Sequence, residues 1–176
     1  MSNEVKYDNH YREDPAACGD PFTEFESFCG EATVGTVLDL GCGQGRDALM
    51  FARAGHEVVG VDISSVGIQQ MMATAKEEDL SVEGIVASIC TYTPQNSFDI
   101  VILDRVLHML DEKDRLPTLE VALSAVSPGG HILIAEGPKG LAPLRAVIEA
   151  RGWLLVRAKA NRLIARHTGL DEIPTP

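Results

Sequence analysis

Three glycines alternate with other residues directly after the strand-like run 36–40, at Gly41, Gly43 and Gly45. Because glycine has no Cβ, it adopts positive φ angles readily and leaves room for a bulky group beside the backbone. About 20 residues later a second apolar run ends in Asp62, and an acid at this place in a βαβ unit can bind both hydroxyls of a ribose. The spacing therefore predicts a site for a ribose-containing cofactor.

A second group of polar residues follows the apolar run 98–103 and comprises Asp104, Arg105 and His108. Ligands of open α/β folds bind outside the carboxyl ends of the strands, so these side chains are candidates for catalysis. An imidazole can accept a proton near neutral pH, which makes His108 a candidate general base. The alternative is a hydrogen-bonded packing histidine. Glu136, after a later apolar run, is either a residue that faces a substrate or a solvated loop acid.

Strand-like and helix-like patterns alternate from residue 36 onward. The predicted strands cover 36–40, 58–61, 84–88, 98–103, 131–135, 153–158 and 162–166, and the predicted helices cover 47–54, 65–78, 115–126 and 142–151. Short links between alternating elements predict a Rossmann-like doubly wound α/β fold with a mostly parallel seven-stranded sheet. Only a few residues separate the last two strands, so these strands must pair antiparallel.

The segment before the first strand is polar and turn-rich, and it then predicts a short helix over 21–29. Three phenylalanines lie three residues apart in this helix: Phe22, Phe25 and Phe28. Such a stripe packs on the core in the simplest interpretation. Tyr7 and Tyr11 are four residues apart and are candidates for a lid over the glycine loop. We expect residues 1–35 to form an arm that can act as a lid, and residues 36–176 to form the α/β domain.

Composition indicates one globular domain with a small-molecule ligand. The chain has 176 residues, of which 45% are hydrophobic and 23% are charged, and its formal net charge is −11. This length suits a single domain with a sizeable core. A protein that binds nucleic acid must neutralise phosphates with Lys and Arg, so the negative charge argues against such a partner.

The cysteines predict neither a metal site nor disulfide bonds. Cys18, Cys29, Cys42 and Cys90 form no CxxC pair and have no histidines at metal-ligand spacing. The amino terminus lacks the basic and apolar parts of a signal peptide, and no apolar run approaches the roughly 20 residues that cross a bilayer. We therefore expect a cytoplasmic protein with reduced thiols, no membrane association, and a monomeric or homodimeric state.

The glycine spacing separates two kinds of cofactor. Nicotinamide and flavin enzymes use G-x-G-x-x-G, whereas this chain has G-x-G-x-G with Asp39 two residues ahead of the first glycine. That pattern resembles motif I of the class I S-adenosylmethionine-dependent methyltransferases. Asp62 resembles the family's ribose-binding acid, Phe98–Val101 its fourth strand, and Ser127–His131 its Pro-Gly-Gly turn. Within the family, the loop and the short chain are most similar to the compact tellurite-resistance and thiopurine-methyltransferase-like group.

The resemblance implies S-adenosylmethionine as the cofactor and S-adenosylhomocysteine as the product. It also implies that the glycine loop, the ribose acid and the ends of the third and fourth strands contact the cofactor. The cofactor-binding residues expected are Asp39, Gly41, Cys42, Gly43, Gly45, Arg46, Asp62, Ile63, Ser88, Ile89, Leu103 and Asp104, and the candidate lid over the glycine loop adds Tyr11. Ser88 stands where relatives commonly carry an acid that accepts from the adenine amine.

Helix caps are expected beside the cofactor residues. Asp47 is expected to cap the helix after the glycine loop, and Ser64 or Ser65 can cap the next one. If a serine caps that helix, the Asp62 carboxylate remains available to a ribose.

By resemblance, the methyl acceptor is a small soft nucleophile such as a thiol or a chalcogen oxyanion. One competing hypothesis is a methyltransferase-fold protein that binds the cofactor or a partner without catalysis. A second is a nicotinamide-dependent oxidoreductase, which would need the longer glycine spacing and a substrate domain.

Overall fold

The computed structural model describes residues 3–14, 16–137 and 140–169. The helices in these ranges are α1 (Asn3–Glu13), α2 (Thr23–Glu31), α3 (Arg46–Arg53), α4 (Ser65–Glu77), α5 (Glu112–Ser124) and α6 (Leu141–Ala150). The strands are β1 (Thr36–Leu40), β2 (Glu57–Asp62), β3 (Val82–Val86), β4 (Phe98–Asp104), β5 (Val126–Ala135), β6 (Leu154–Lys159) and β7 (Arg162–Arg166). A short 3₁₀ turn covers Leu107–Met109.

The described strands form one sheet in the order β3-β2-β1-β4-β5-β7-β6. Strands β1, β2 and β3 pair in parallel, and so do β4 and β5. Strand β7 lies between β5 and β6 and is antiparallel to both. The predicted Rossmann-like, mostly parallel fold with an antiparallel end is therefore confirmed.

One compact unit extends to Tyr92 and contains the glycine loop. Its strands β1 and β2 pair in the register Leu40↔Val61, so Gly41 and Asp62 leave the sheet at neighbouring positions. The Gly41 amide donates to the Val61 carbonyl at 2.7 Å, which continues the ladder by one bond. This register brings the loop and the acid together.

A second compact unit begins at Thr93. Its strands β4 and β5 pair up to Asp104↔Ala135. The Arg105 amide still donates to the Ala135 carbonyl at 2.7 Å, and Glu136 follows directly after β5. The polar residues after β4 and the acid after β5 therefore leave this part of the sheet together.

The amino-terminal segment differs from the prediction. Residues expected to be turn-rich form helix α1, on which Asp8 is the only described residue classed as buried. A helix without an apolar stripe gives no periodic signal in the sequence. Strand β3 also ends at Val86 instead of residue 88, so Ser88 lies in the turn after the strand.

Two features are absent from the described residues. None of their helices is long and apolar enough to cross a membrane. Among the same residues, no group of three or more His, Cys, Asp or Glu side chains is arranged to hold a metal ion.

Candidate active site

The glycine loop has a left-handed backbone at each of its three glycines. The φ angles are 81° at Gly41, 55° at Gly43 and 84° at Gly45. These values lie in the region that L residues with a Cβ adopt only at a cost in strain. The alternating glycines are therefore required by the path of the backbone.

Asp62 holds the loop from the end of β2. Its Oδ2 accepts from the Gly43 amide at 2.9 Å, and its Oδ1 accepts from the Ser64 amide at 2.8 Å. The residue is only 7% exposed, and burial raises the pKa of its carboxyl. Asp62 thus joins the glycine loop to the start of α4.

The Asp62 carboxylate keeps room for a ribose hydroxyl. Two carboxylate oxygens offer about four acceptor positions, and the backbone amides of Gly43, Ser64 and Ile63 use up to three of them. At least one acceptor position therefore remains. The residues present are therefore compatible with the nucleoside part of the expected cofactor.

Asp39 holds the helix that follows the loop. Its side chain is buried in β1, and its Oδ2 accepts from the Ala48 amide at 3.1 Å in the first turn of α3. Burial, followed by the neighbouring Asp47 charge, raises the pKa of the Asp39 carboxyl well above its usual range. The expectation that Asp47 caps α3 is wrong, because Gly45 occupies the cap position without a side-chain bond.

Asp47 instead forms an ion pair with Arg46. The Arg46 Nε donates to Asp47 Oδ1 at 3.2 Å, and its Nη1 donates to the Cys18 carbonyl at 3.0 Å. The guanidinium also lies 5.7 Å from the centre of the Phe22 ring. In this structure Arg46 therefore ties the loop to the segment that precedes β1.

Helix α1 contacts the start of α4 through Asp8. Its carboxylate accepts from Ser64 Oγ at 2.6 Å, from Ser65 Oγ at 3.3 Å and from the Val66 amide at 3.2 Å. The bond from the Ser64 hydroxyl is the largest of the effects that hold the pKa of the Asp8 carboxyl below its usual value. Ser64 is also the predicted cap of α4, since its Oγ accepts from the Gly67 amide at 3.1 Å.

Tyr11 lies against the glycine loop. A Cβ built on Gly43 would be 2.7 Å from the Tyr11 Oη and 3.1 Å from the Cys18 Sγ. Burial, followed by the Asp62 charge, raises the pKa of the Tyr11 hydroxyl. The Tyr7 ring stacks on the Tyr11 ring with centroids 6.3 Å apart. Both aromatic residues that the sequence singled out thus belong to a helix packed on the loop.

The remaining cofactor candidates occupy different environments. Ile89 is buried, whereas Ile63 and Ser88 are half-buried. The Ser88 Oγ accepts from the Cys90 amide at 3.4 Å within the turn after β3. Leu103 is fully buried in β4, so its side chain is part of the core in this structure.

A buried acid organises the turn after β4. The Glu136 Oε1 accepts from the Leu107 amide at 2.9 Å, and its Oε2 lies 2.8 Å from the His108 Nδ1. Glu136 is 2% exposed, so the solvated-acid interpretation of this residue is wrong. His108 is paired through one ring nitrogen, while 43% of its side chain is exposed.

Asp104 and Arg105 pair beside this turn. The Arg105 Nε lies 3.2 Å from Asp104 Oδ1, and 4% of the Asp104 side chain is exposed. Arg105 has a φ of 54°, which is unusual for a residue with a Cβ. Strained backbone of this kind clusters at functional sites, which supports placing these residues among the functional candidates.

A comparison with known protein families shows to which family the chain belongs. A family model described as "Methyltransferase domain" matches residues 37–130, a range that includes the glycine loop and the two glycines of the Pro-Gly-Gly turn. The chain belongs to the class I S-adenosylmethionine-dependent methyltransferases. S-adenosylmethionine is the cofactor of this family.

Known methyltransferases resemble the chain over most of its length. It is 30% identical over 132 residues to a 2-heptyl-1-hydroxyquinolin-4(1H)-one methyltransferase of Mycobacteroides abscessus, covering 73% of this chain and 58% of that protein. The chain spans between 29% and 58% of the length of three such curated relatives.

Two solved methyltransferase structures share the fold. A Burkholderia thailandensis 1,6-didemethyltoxoflavin-N1-methyltransferase, solved with that compound and S-adenosylhomocysteine, has a TM-score of 0.75 at 18% identity and covers 94% of this chain and 87% of that one. A TehB-like enzyme from Corynebacterium glutamicum has a TM-score of 0.70 at 23% identity, covering 94% and 97% of the two chains. At these identities the likeness establishes the fold of the methyltransferase.

Proposed function

We propose that this chain binds S-adenosylmethionine and transfers its methyl group to a small molecule, releasing S-adenosylhomocysteine. The observation that carries the proposal is the buried Asp62 carboxylate, which holds Gly43 and keeps acceptor capacity for a ribose hydroxyl. When bound, S-adenosylmethionine supplies a methyl group made reactive by a positively charged sulfur. The work left to the protein is to bind both molecules, align them and exclude water.

In this proposal the first compact unit binds the cofactor. Asp62 binds the ribose, and the loop backbone at Gly41 and Gly43 approaches the methionine part. Asp39 acts by holding the start of α3 in place, which is consistent with its bond to the Ala48 amide.

Adenine binding is assigned to the residues after β2 and β3. We propose that Ile63 and Ile89 flank the adenine, and that Ser88 accepts from its amine. The half-buried position of Ser88 in the turn after β3 supports this assignment.

We further propose that residues 1–35 act as a lid and that residues 36–176 form the methyltransferase domain. The contacts of Asp8 with the start of α4 and of Tyr11 with Gly43 support the lid. With α1 in this position, Gly43 and Asp62 are buried, so cofactor exchange requires α1 to move.

The acceptor proposed from the resemblance is a small soft nucleophile, either a thiol or a chalcogen oxyanion. Only residues 136–140 separate β5 from α6, which leaves little chain to build a large substrate cap and supports a small acceptor. The proposal includes a cytoplasmic protein that is a monomer or a homodimer, which cell fractionation and light scattering would test.

Calorimetric titration with S-adenosylmethionine tests the cofactor assignment, and transfer of a labelled methyl group to a thiophenol, a phenol, an amine and selenite tests the reaction. We expect binding, and transfer to at least one of these probes. Failure of the folded protein to bind S-adenosylmethionine would overturn the proposal. Binding without transfer to any probe would favour a non-catalytic binding protein, and retention of NADH alone would favour an oxidoreductase.

A further inference from the structure

A histidine in the turn after β4 and a carboxylate directly after β5 are paired in a way that indicates which methyl acceptors suit the site. The Glu136 Oε2 and the His108 Nδ1 are 2.8 Å apart, and a carboxylate can only accept a hydrogen bond. The proton of a neutral imidazole therefore lies on Nδ1. The lone pair is then on Nε2, where it can accept a proton.

The exposure of the ring agrees with this assignment. Nδ1 is bound to a carboxylate that is 1% exposed, yet 43% of the His108 side chain is exposed. The exposed surface therefore lies mainly on the other atoms of the side chain, among which is Nε2. No residue in the described part of the chain hydrogen-bonds that nitrogen.

The backbone around His108 is held at several points. Glu136 Oε1 accepts from the amides of Leu107 and His108, at 2.9 Å and 3.4 Å. Arg115, on α5, donates to the His108 carbonyl at 3.3 Å and to the Leu110 carbonyl at 3.1 Å. A general base must be fixed in this way to act on a bound molecule.

Resting on the proposed methyl transfer, we infer that the acceptor is a nucleophile that carries a proton on its attacking atom, with His108 Nε2 as its base and Glu136 as the positioning residue. As the acceptor's lone pair forms the bond to the methyl carbon, the carbon–sulfur bond breaks and its electron pair stays on sulfur. A thiol or hydroxyl loses its proton to His108 as this bond forms, whereas an ammonium group loses it beforehand, because its nitrogen has no lone pair until then. The imidazolium pairs with Glu136, and the proton then passes to water.

This inference narrows the acceptor class. A thiol, a hydroxyl or an ammonium group has a proton to lose, and a positioned base typically contributes about a hundredfold to ten-thousandfold to such a step. A chalcogen oxyanion already carries its attacking lone pair and gains nothing from a base. Of the two acceptors proposed above, the pairing of His108 with Glu136 favours the thiol. It also makes hydroxyl and ammonium compounds candidate acceptors.

His108→Asn is the main test, since an asparagine amide can still donate to Glu136 while the base is lost. We expect at least about a hundredfold lower kcat on the thiophenol, phenol or amine probe that the wild type methylates, with unchanged affinity for S-adenosylmethionine. Glu136→Gln should lower kcat less and change the pH profile of kcat. The control Glu112→Gln, at an exposed position of α5, should change neither. Wild-type kcat in His108→Asn, or transfer to selenite alone, would overturn the inference.

A second measurement tests the inference even if S-adenosylmethionine binds and no probe is methylated. Nitrogen-15 NMR of the wild type should show the His108 proton on Nδ1, and Glu136→Gln should weaken that preference. A proton on Nε2 in the wild type would overturn the inference. Lack of S-adenosylmethionine binding would instead overturn the proposed function, so the two failures are distinguishable.

Discussion

The Asp8 carboxylate on α1 accepts a 2.6 Å hydrogen bond from the Ser64 hydroxyl, 56 residues along the chain at the start of α4. The same serine oxygen accepts from the Gly67 amide. Negative charge is stabilised at a helix amino terminus, so the arm supplies to α4 an acid that the helix lacks in its own first turn. The residue that caps α4 is thus also the residue that anchors α1.

Removing this acid should release the arm. We expect Asp8→Ala to speed amide hydrogen exchange in α1 and to lower the free energy of unfolding by about 1 to 3 kcal/mol, because Ser64 loses a charged partner. Release of bound S-adenosylmethionine should also become faster if α1 is a lid. Glu4→Gln, on the exposed side of the same helix, is the matched control. Unchanged exchange in Asp8→Ala would show that α1 is held by other contacts.

The ribose assignment predicts a selective loss of cofactor affinity. Asp62→Asn keeps the shape of the side chain but loses its charge and half of its acceptor capacity. We expect affinity for S-adenosylmethionine to fall about tenfold to a hundredfold, as measured by calorimetry. Glu83→Gln, an exposed acid on β3, should bind as tightly as the wild type. Equal affinities in both variants would remove Asp62 from the site.

The close approach of Tyr11 to Gly43 predicts that a second substitution can restore stability lost by a first. A Cβ at this position would be 2.7 Å from the Tyr11 Oη, and its φ of 55° adds strain. We expect Gly43→Ala to lower the free energy of unfolding by about 1 to 3 kcal/mol and to weaken cofactor binding. Adding Tyr11→Phe should recover part of the stability, because it removes the clashing oxygen.

Gly30→Ala is the control for that pair. Gly30 lies in α2, and a Cβ there meets nothing within 4 Å. Chemical denaturation should show a gain of up to about 1 kcal/mol, since alanine favours helix over glycine. If Tyr11→Phe changes the stability of Gly43→Ala and Gly30→Ala equally, the contact between Tyr11 and the loop is not the cause.

Asp39 makes stability depend on pH. Burial raises the pKa of its carboxyl in the folded protein, so the folded state binds more protons than the unfolded state between the two pKa values. The contribution of Asp39 to stability is therefore largest at acidic pH and falls as pH rises through that window. Asp39→Asn can still accept from the Ala48 amide and lacks this charge.

We expect the Asp39→Asn midpoint in urea to exceed that of the wild type at neutral pH and to approach it on acidification. The measurement is urea denaturation across pH, with the exposed Glu57→Gln as control. A constant difference between Asp39→Asn and the wild type at every pH would contradict the assignment.

The sequence predicted the sheet and the loop because their signals are local. Apolar runs in the sequence indicate β1 and β2. The glycines at 41, 43 and 45 come directly after the first of these runs, so the loop is located as soon as β1 is. Helix α1 could not be predicted in the same way. Its attachment depends on one polar residue, Asp8, whose partners lie at Ser64 to Val66.

The pairing of His108 with Glu136 was also beyond a sequence prediction. Each residue was a candidate by itself, but their contact depends on the β4–β5 register, which places Asp104 beside Ala135. The register does not follow from the sequence, because β5 begins at Val126, before the Pro-Gly-Gly residues, and its pairing with β4 shifts between Phe98 and Ile100. An alternating apolar and polar pattern shows which residues lie on each face of a strand. It does not show how that strand is aligned with its neighbour.

The position of β7 has a consequence for how the protein is made. Strand β6 is synthesised before β7 but pairs only with β7 in the described chain, and β7 also completes the free side of β5. Until Arg162–Arg166 has left the ribosome, β5 presents an open edge and β6 has no strand to join. Of the strands in the described residues, the one translated last is therefore the one that closes the open edge of β5.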